Sequence, residues 1–297
     1  MERKESFEMG MMFMLLSASA LALTGFLGQL GMGYFFICPM IFWRFFTSLI
    51  LYAVLLWVRG ELKGFWHIHN IKLHLLRAFF VLGAQYTFYY YIQHNNLLNA
   101  IVLLNTGPLF IPIIEWGFLR NKVGKSTWIS IIVAFIGVIF VLQPHAGIFS
   151  HVSIIGLLAG VCQASSQVLF GLNARKEKVN LSILYLFFFC TLFSGIPYGY
   201  FHKTWILGGG LNWASFSIIM AVAIASIGNQ MTRAVAYQYG TPSRLSPFLY
   251  FSVLLAGLLD WGVFKIIPNT LSLIGAVLVV FGGVLKVILR KKMIGKS

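Results

Sequence analysis

Ten apolar runs occupy almost the whole sequence, at roughly 10–30, 35–58, 73–93, 98–119, 126–143, 152–173, 181–201, 213–237, 245–266 and 270–290. Each is near the roughly 20 residues that a helix needs to cross a bilayer core. Lipid offers no partner to a backbone N–H or C=O, so a spanning chain must satisfy those groups internally, as helices or a closed barrel. Runs of this length select helices. The loops between them are too short to hold a separate soluble domain. Composition agrees: the chain is 59% hydrophobic and 10% charged, where a soluble domain carries about a quarter charged residues. The expectation is an all-α integral membrane protein with ten transmembrane helices. MERKESFE at the start mixes acids and bases, and no small-x-small cleavage site follows the first run, so that run reads as a retained span.

The net charge of +15 does not point to nucleic acid, because the bases lie in short loops between apolar runs and act there as topology signals. Ten spans return both termini to one side. On that assignment 18 of the 22 Lys and Arg residues fall on the side of the termini, among them Arg59, Arg77, Arg120 and Lys125. Lys203 and Lys265 fall opposite, and Arg44 and Arg233 fall inside spans. The bias places both termini in the cytoplasm. Cys38, Cys162 and Cys190 show no CxxC or metal-like spacing, so neither a disulfide framework nor a metal or cofactor is expected.

The fourth run, Asn99–Arg120, carries Asn105, Pro108, Pro112 and Glu115 at steps of three, four and three, which on a continuous helix is one face. Each proline removes a backbone donor, and carbonyls freed at membrane depth are tolerated where they face protein or a watery cavity. The stripe reads either as the wall of a pathway or as a kinked packing helix whose Glu115 pairs with a base. A shift of 145 residues sets Glu115-Trp116-Gly117 on Asp260-Trp261-Gly262, Gln93 on Gln238 and Gly137 on Gly282. Five spans per copy is an odd number, so the second copy must be inverted, as in many secondary transporters. The expected parts are a tail (1–9), a first repeat (10–145), a second repeat (146–290) and a basic tail (291–297).

Polar side chains concentrate in a few spans. Span two carries Arg44. Span three carries Gln85 and Tyr89 on one face. Span six carries Gln163, Ser166 and Gln167, and span eight carries Asn229, Gln230, Arg233 and Tyr237. Span nine repeats the proline-aromatic character of span four with Pro247, Tyr250 and Asp260. Spans five and ten have almost nothing polar to bind with, span ten carries Gly275, Gly282 and Gly283 for close packing, and the two read as scaffold or as contacts of a homodimer. Singly, each Gln or Asn is more often interhelical glue. Together they outline a central polar cavity. The residues expected to touch a substrate are Arg44, Gln85, Tyr89, Asn105, Gln163, Gln167, Gln230, Arg233 and Tyr250, with Arg44 or Arg233 as partner for a carboxylate or phosphate. Glu115, Asp260, Pro108, Pro112 and Pro247 are the coupling or gating candidates. For the two acids, a proton relay and an ion pair with Arg120, Lys265 or Arg44 both stand.

The five-plus-five pattern, WRFF in span two, AIVLLNTGPLF in span four and WISIIVAFIGVIFVLQP in span five resemble the drug/metabolite transporter superfamily, specifically the EamA-type ten-helix permeases. The resemblance runs along almost the whole chain. It implies a multi-pass protein of the bacterial inner membrane. It implies alternating access, with a small solute such as an amino acid or a nucleotide-like metabolite (S-adenosylmethionine, for example) held centrally. One feature departs: the glutamate that often ends spans four and nine is replaced by Leu119-Arg120-Asn121 and Phe264-Lys265-Ile266. An intramembrane enzyme would need a catalytic cluster, and the histidines lie in loops or at span ends, with His67, His69 and His74 the only grouping. A lipid-binding or signalling membrane protein is the other class, against which the inverted repeat argues.

Overall fold

The computed structural model describes residues 2–62, 70–119, 125–142, 151–173, 178–200, 212–240, 245–266 and 269–294. All regular elements there are helical: α1 (Glu2–Gly31), α2 (Ile37–Val58), α3 (Ile71–His94), α4 (Leu97–Leu104), α5 (Gly107–Leu119), α6 (Lys125–Leu142), α7 (His151–Asn173), α8 (Val179–Tyr200), α9 (Trp213–Tyr239), α10 (Phe251–Gly262) and α11 (Thr270–Ile294). A 3-10 turn, Ser246–Tyr250, runs directly into α10. By length and composition, six segments are apolar enough to cross a membrane: Phe7–Gly31, Ile37–Val58, Leu97–Ile114, Ile154–Leu172, Val179–Tyr200 and Trp213–Tyr239. Phe248–Gly262 and Thr270–Gly282 are shorter apolar helices. The protein is a multi-pass membrane protein. α3 is not among the six; it carries Lys72, His74 and Arg77 in its first two turns.

Apolar side chains cover the outside as well as the core. Ile132, Ile136 and Ile139 on α6 and Val277 and Phe281 on α11 are exposed, as suits surfaces facing lipid tails. Inside, helices pack in defined pairs: α1 with α9, α3 with α7, α2 with α8, α6 with α11, and α4 with α10. Small residues let backbones meet where no hydrophobic effect drives association. A Cβ at Gly137 would lie 2.6 Å from the Gly275 carbonyl oxygen, so α6 and α11 cross at their glycine faces. The small-residue faces of spans five and ten are thus used within the chain.

The fourth apolar run is not one helix. It breaks at Asn105–Thr106, between α4 and α5. Pro108 has no N–H, and its ring would clash with the carbonyl four residues back. The turn satisfies itself locally. Asn105 N–H donates to the Ile101 carbonyl at 2.9 Å, and Thr106 Oγ1 donates to the Leu103 carbonyl at 2.6 Å. α7 closes over this break at Gly160, where a Cβ would lie 2.6 Å from the Leu103 carbonyl and collide with the Thr106 hydroxyl. The junction of the second irregularity, Tyr250–Phe251, lies 145 residues after Asn105–Thr106. The break corrects the continuous stripe expected from sequence: Asn105 is not on a common helical face with Pro112 and Glu115.

Candidate functional site: a closed arginine cavity

α2, α3, α7, α8 and α9, with Leu21 of α1, enclose a cavity lined by Arg44, Arg77, Gln85, Gln163, Gln167, Ser226, Asn229, Gln230 and Arg233 and by aromatic and aliphatic side chains. Its free volume is about 30 Å³. That is water-sized space and far too little for a metabolite, so the side chains close on one another in this conformation.

Arg44 is the best tethered. Its Nε donates to Ser226 Oγ at 2.9 Å, and its Nη1 donates to Gln85 Oε1 and, at 3.2 Å, to the Tyr89 hydroxyl. α3 brings Gln85 and Tyr89 to the same point because they are one turn apart. Arg233, on α9, donates from Nε to Ser17 Oγ at 3.3 Å, and Ser17 in turn donates to Asn229 Oδ1 at 2.9 Å. Arg77 donates from Nη1 to the Ser182 hydroxyl at 3.1 Å, with its guanidinium 4.0 Å from the Phe170 ring centroid. Tyr237 donates to Gln167 Oε1 at 3.1 Å. The three arginines are 7%, 2% and 4% exposed for Arg44, Arg77 and Arg233. All acceptors found for them among the described residues are neutral.

Seven of the expected residues therefore meet: Arg44, Gln85, Tyr89, Gln163, Gln167, Gln230 and Arg233. Asn105 and Tyr250 do not. They are buried where the two helix irregularities touch, and Asn105 Nδ2 donates to Ser252 Oγ at 2.6 Å there. Asp260 is fully buried and makes none of the three expected ion pairs among the described residues; it accepts the Leu98 N–H at 2.7 Å and so caps the start of α4. A carboxylate is favoured there because a helix N-terminus carries unpaired N–H groups and partial positive charge. Pro112 is buried within α5. The side chains of Pro108, Glu115 and Pro247 lie outside the described residues, as do His67, His69 and Arg120.

Arg77 is the residue that the loop assignment misplaced. It sits on the second turn of α3, buried, and not in a cytoplasmic loop. The signal was present: Arg77, Val81, Gln85 and Tyr89 recur every four residues, one face of a helix that starts at Ile71. His74 is likewise a core residue, its ring against Tyr185 at 4.9 Å. Among the described residues no group of His, Cys, Asp and Glu has the makings of a metal site.

The chain is similar in sequence and in fold to known proteins. The profile of the EamA-like transporter family matches residues 8–143. Over that first half the chain is similar to EamA-like transporters. It is 27% identical to the riboflavin transporter of Vibrio cholerae serotype O1, over 70% of this chain and 68% of that one. It is 22% identical to the S-adenosylmethionine uptake transporter of Rickettsia bellii, over 86% and 85% of the two chains. It is 21% identical to the pseudopaline exporter CntI of Pseudomonas aeruginosa, over 67% and 70%. A solved crystal structure aligns over 96% of this chain and 98% of its own at a TM-score of 0.67 and 16% identity, which shows that the two share a fold. These similarities support a small-molecule transporter.

Proposed function

We propose that this protein is a secondary-active transporter that carries a small organic metabolite across the bacterial inner membrane by alternating access. The observation that carries the reading is the cavity itself. Buried guanidinium, amide and hydroxyl groups converge from α2 and α3 in the first half and from α7, α8 and α9 in the second. Intramembrane polar groups are costly and mark solute pathways.

The packing supports a pair of inverted five-helix repeats, 10–145 and 146–290, in a ten-span bundle with both termini cytoplasmic. Counting α4 and α5 as one span, and the 3-10 turn with α10 as another, exchange of the halves turns the α1–α9 pair into the α7–α3 pair. It returns α2–α8, α6–α11 and α4–α10 to themselves. Gln85 and Gln230, 145 residues apart, both line the cavity. Such architectures hold their solute between the repeats and rock one against the other. Asn105 and Tyr250 then belong to the contact that parts when the pathway opens, and Pro108, Pro112 and Pro247 to its hinges. A homodimer through spans five and ten would use their outward faces, Ile132, Ile136, Val277 and Phe281, because the inner faces are taken.

The solutes named for the relatives are chemically unlike, so the cargo is set by this chain's own cavity. The test is solute counterflow in proteoliposomes over a panel of neutral, cationic and anionic metabolites. Saturable exchange of one class, lost in Arg44→Gln, is the expected result. No exchange of any solute by well-folded protein would overturn the transporter reading.

A further inference from the structure

We infer that the cavity takes an organic anion with two or more negative charges, a dicarboxylate or a phosphate ester, gripped by Arg44, Arg77 and Arg233 together. The inference rests on the transporter reading of the same cavity and names its substrate class.

Charge is the first argument. Three guanidinium groups line about 30 Å³ of free space, and arginine stays protonated in proteins. A buried cation is normally paired, because stripping its hydration is costly. Here no described carboxylate does so. Glu8 and Glu61 are exposed, and Asp260 is engaged at the start of α4. The partners that are present, Ser226, Gln85, Tyr89, Ser182 and Ser17, are neutral. They orient the guanidinium groups without neutralising them.

Unmet donors are the second argument. Arg77 Nε and Arg233 Nη2 are buried with no hydrogen-bond partner among the described residues. Buried donors are rarely left so. Both belong to side chains that line the cavity. A carboxylate or phosphate presents several acceptor oxygens, and the planar guanidinium fork matches them in pairs. The aromatic neighbours add direction. The Phe170 ring lies 4.0 Å from the Arg77 guanidinium and the Phe45 ring 5.3 Å from that of Arg44, so an aromatic ring flanks two of the three cations. The same field repels cations and gives a neutral solute nothing to balance the charge. Arg77 is a substrate-contacting residue on this reading.

The experiment compares matched pairs that differ in charge: succinate with succinamide, glycerol 3-phosphate with glycerol, and riboflavin 5′-phosphate with riboflavin. Detergent-purified protein is melted with each compound, and binders are followed by counterflow. The anionic member of at least one pair should raise the melting temperature saturably and exchange, and its neutral twin should do neither. Arg77→Gln should weaken that binding about tenfold to a hundredfold, the loss of a charge-assisted hydrogen bond. Arg77→Lys should recover part of it by restoring the charge, and Arg59→Gln, on the exposed end of α2, should change nothing. Equal stabilisation by neutral and anionic twins would overturn the proposal, as would exchange of neutral or cationic solutes with no anion bound. In both cases transport itself would stand. Stabilisation by vesicles of phosphatidylglycerol but by none of the soluble anions would also overturn it, assigning the arginines to lipid. Exchange of no solute at all would remove the transporter reading with it.

Discussion

Asp260 shows how a single buried acid acquires a role from geometry. Its Oδ2 takes the Leu98 N–H across 162 residues of sequence, and Asn96 supplies a second cap by accepting the Asn99 N–H at 2.9 Å. Replacing Asp260 with Ala strands a buried donor, and we expect a loss of about 1–3 kcal/mol, read as a lower melting temperature in detergent. Asp260→Asn keeps an acceptor for the Leu98 N–H but forfeits the charge at the helix end and buries an amide NH2 where Oδ1 has no partner among the described residues, so it too should lose about 1–3 kcal/mol. The same variant separates the proton relay expected from sequence from the helix cap that the structure shows. If uptake by Asp260→Asn keeps its pH dependence, the carboxylate is a cap and carries no proton. Arg44 makes a contrasting prediction. Arg44→Gln removes three hydrogen bonds to Ser226, Gln85 and Tyr89. Exchange should fall about tenfold or more, as a charge-assisted contact to substrate is lost, in protein that still elutes as a folded species.

At the scale of elements, the interrupted fourth span is the feature to test. α4 ends and α5 begins where Pro108 makes a continuous ladder unfavourable, and α7 fits over the gap only because residue 160 lacks a side chain. Gly160→Ala places a methyl group against the Leu103 carbonyl and the Thr106 hydroxyl. Overpacking of this kind costs about 1–3 kcal/mol. Gly160→Ala should therefore lower the melting temperature, whereas Gly117→Ala, where nothing lies within 4 Å of the added carbon, should not. A kink was legible in Pro108 and Pro112, but the break into two helices was not, since a proline permits several local solutions and the Thr106 hydroxyl and α7 select one of them.

For the whole molecule, the contact of the two irregular spans is the place where opening and closing should register. Asn105 and Ser252 touch there, 147 residues apart. In a background with Cys38, Cys162 and Cys190 replaced, a disulfide between cysteines at 105 and 252 should stop exchange, and reduction should restore it. Undiminished exchange by the cross-linked protein would mean that the two spans move as one body. The proposed orientation has its own check. Alkaline phosphatase fused after Lys203 should be active, and fused after Lys292 inactive, because only the first position lies outside the cytoplasm.

The sequence by itself determined that this chain is a helical membrane bundle, because runs of about 20 apolar residues leave the backbone no other way to satisfy its hydrogen bonds in lipid. It also marked most of the polar faces, since Gln85 with Tyr89, Gln163 with Gln167, and Gln230 with Arg233 and Tyr237 are near neighbours along single helices. What it left open was which of those faces meet. Helical period orders residues along one axis and says nothing of the neighbour that each face finds. Only the tertiary structure decided that Arg77 joins Arg44 and Arg233 in the cavity, while Asn105, Tyr250 and Asp260 serve the contact between the interrupted spans. The physical reason is that a guanidinium in lipid must find either water or polar partners. For Arg77 the hydroxyl of Ser182 and the ring of Phe170, more than ninety residues away in sequence, supply them.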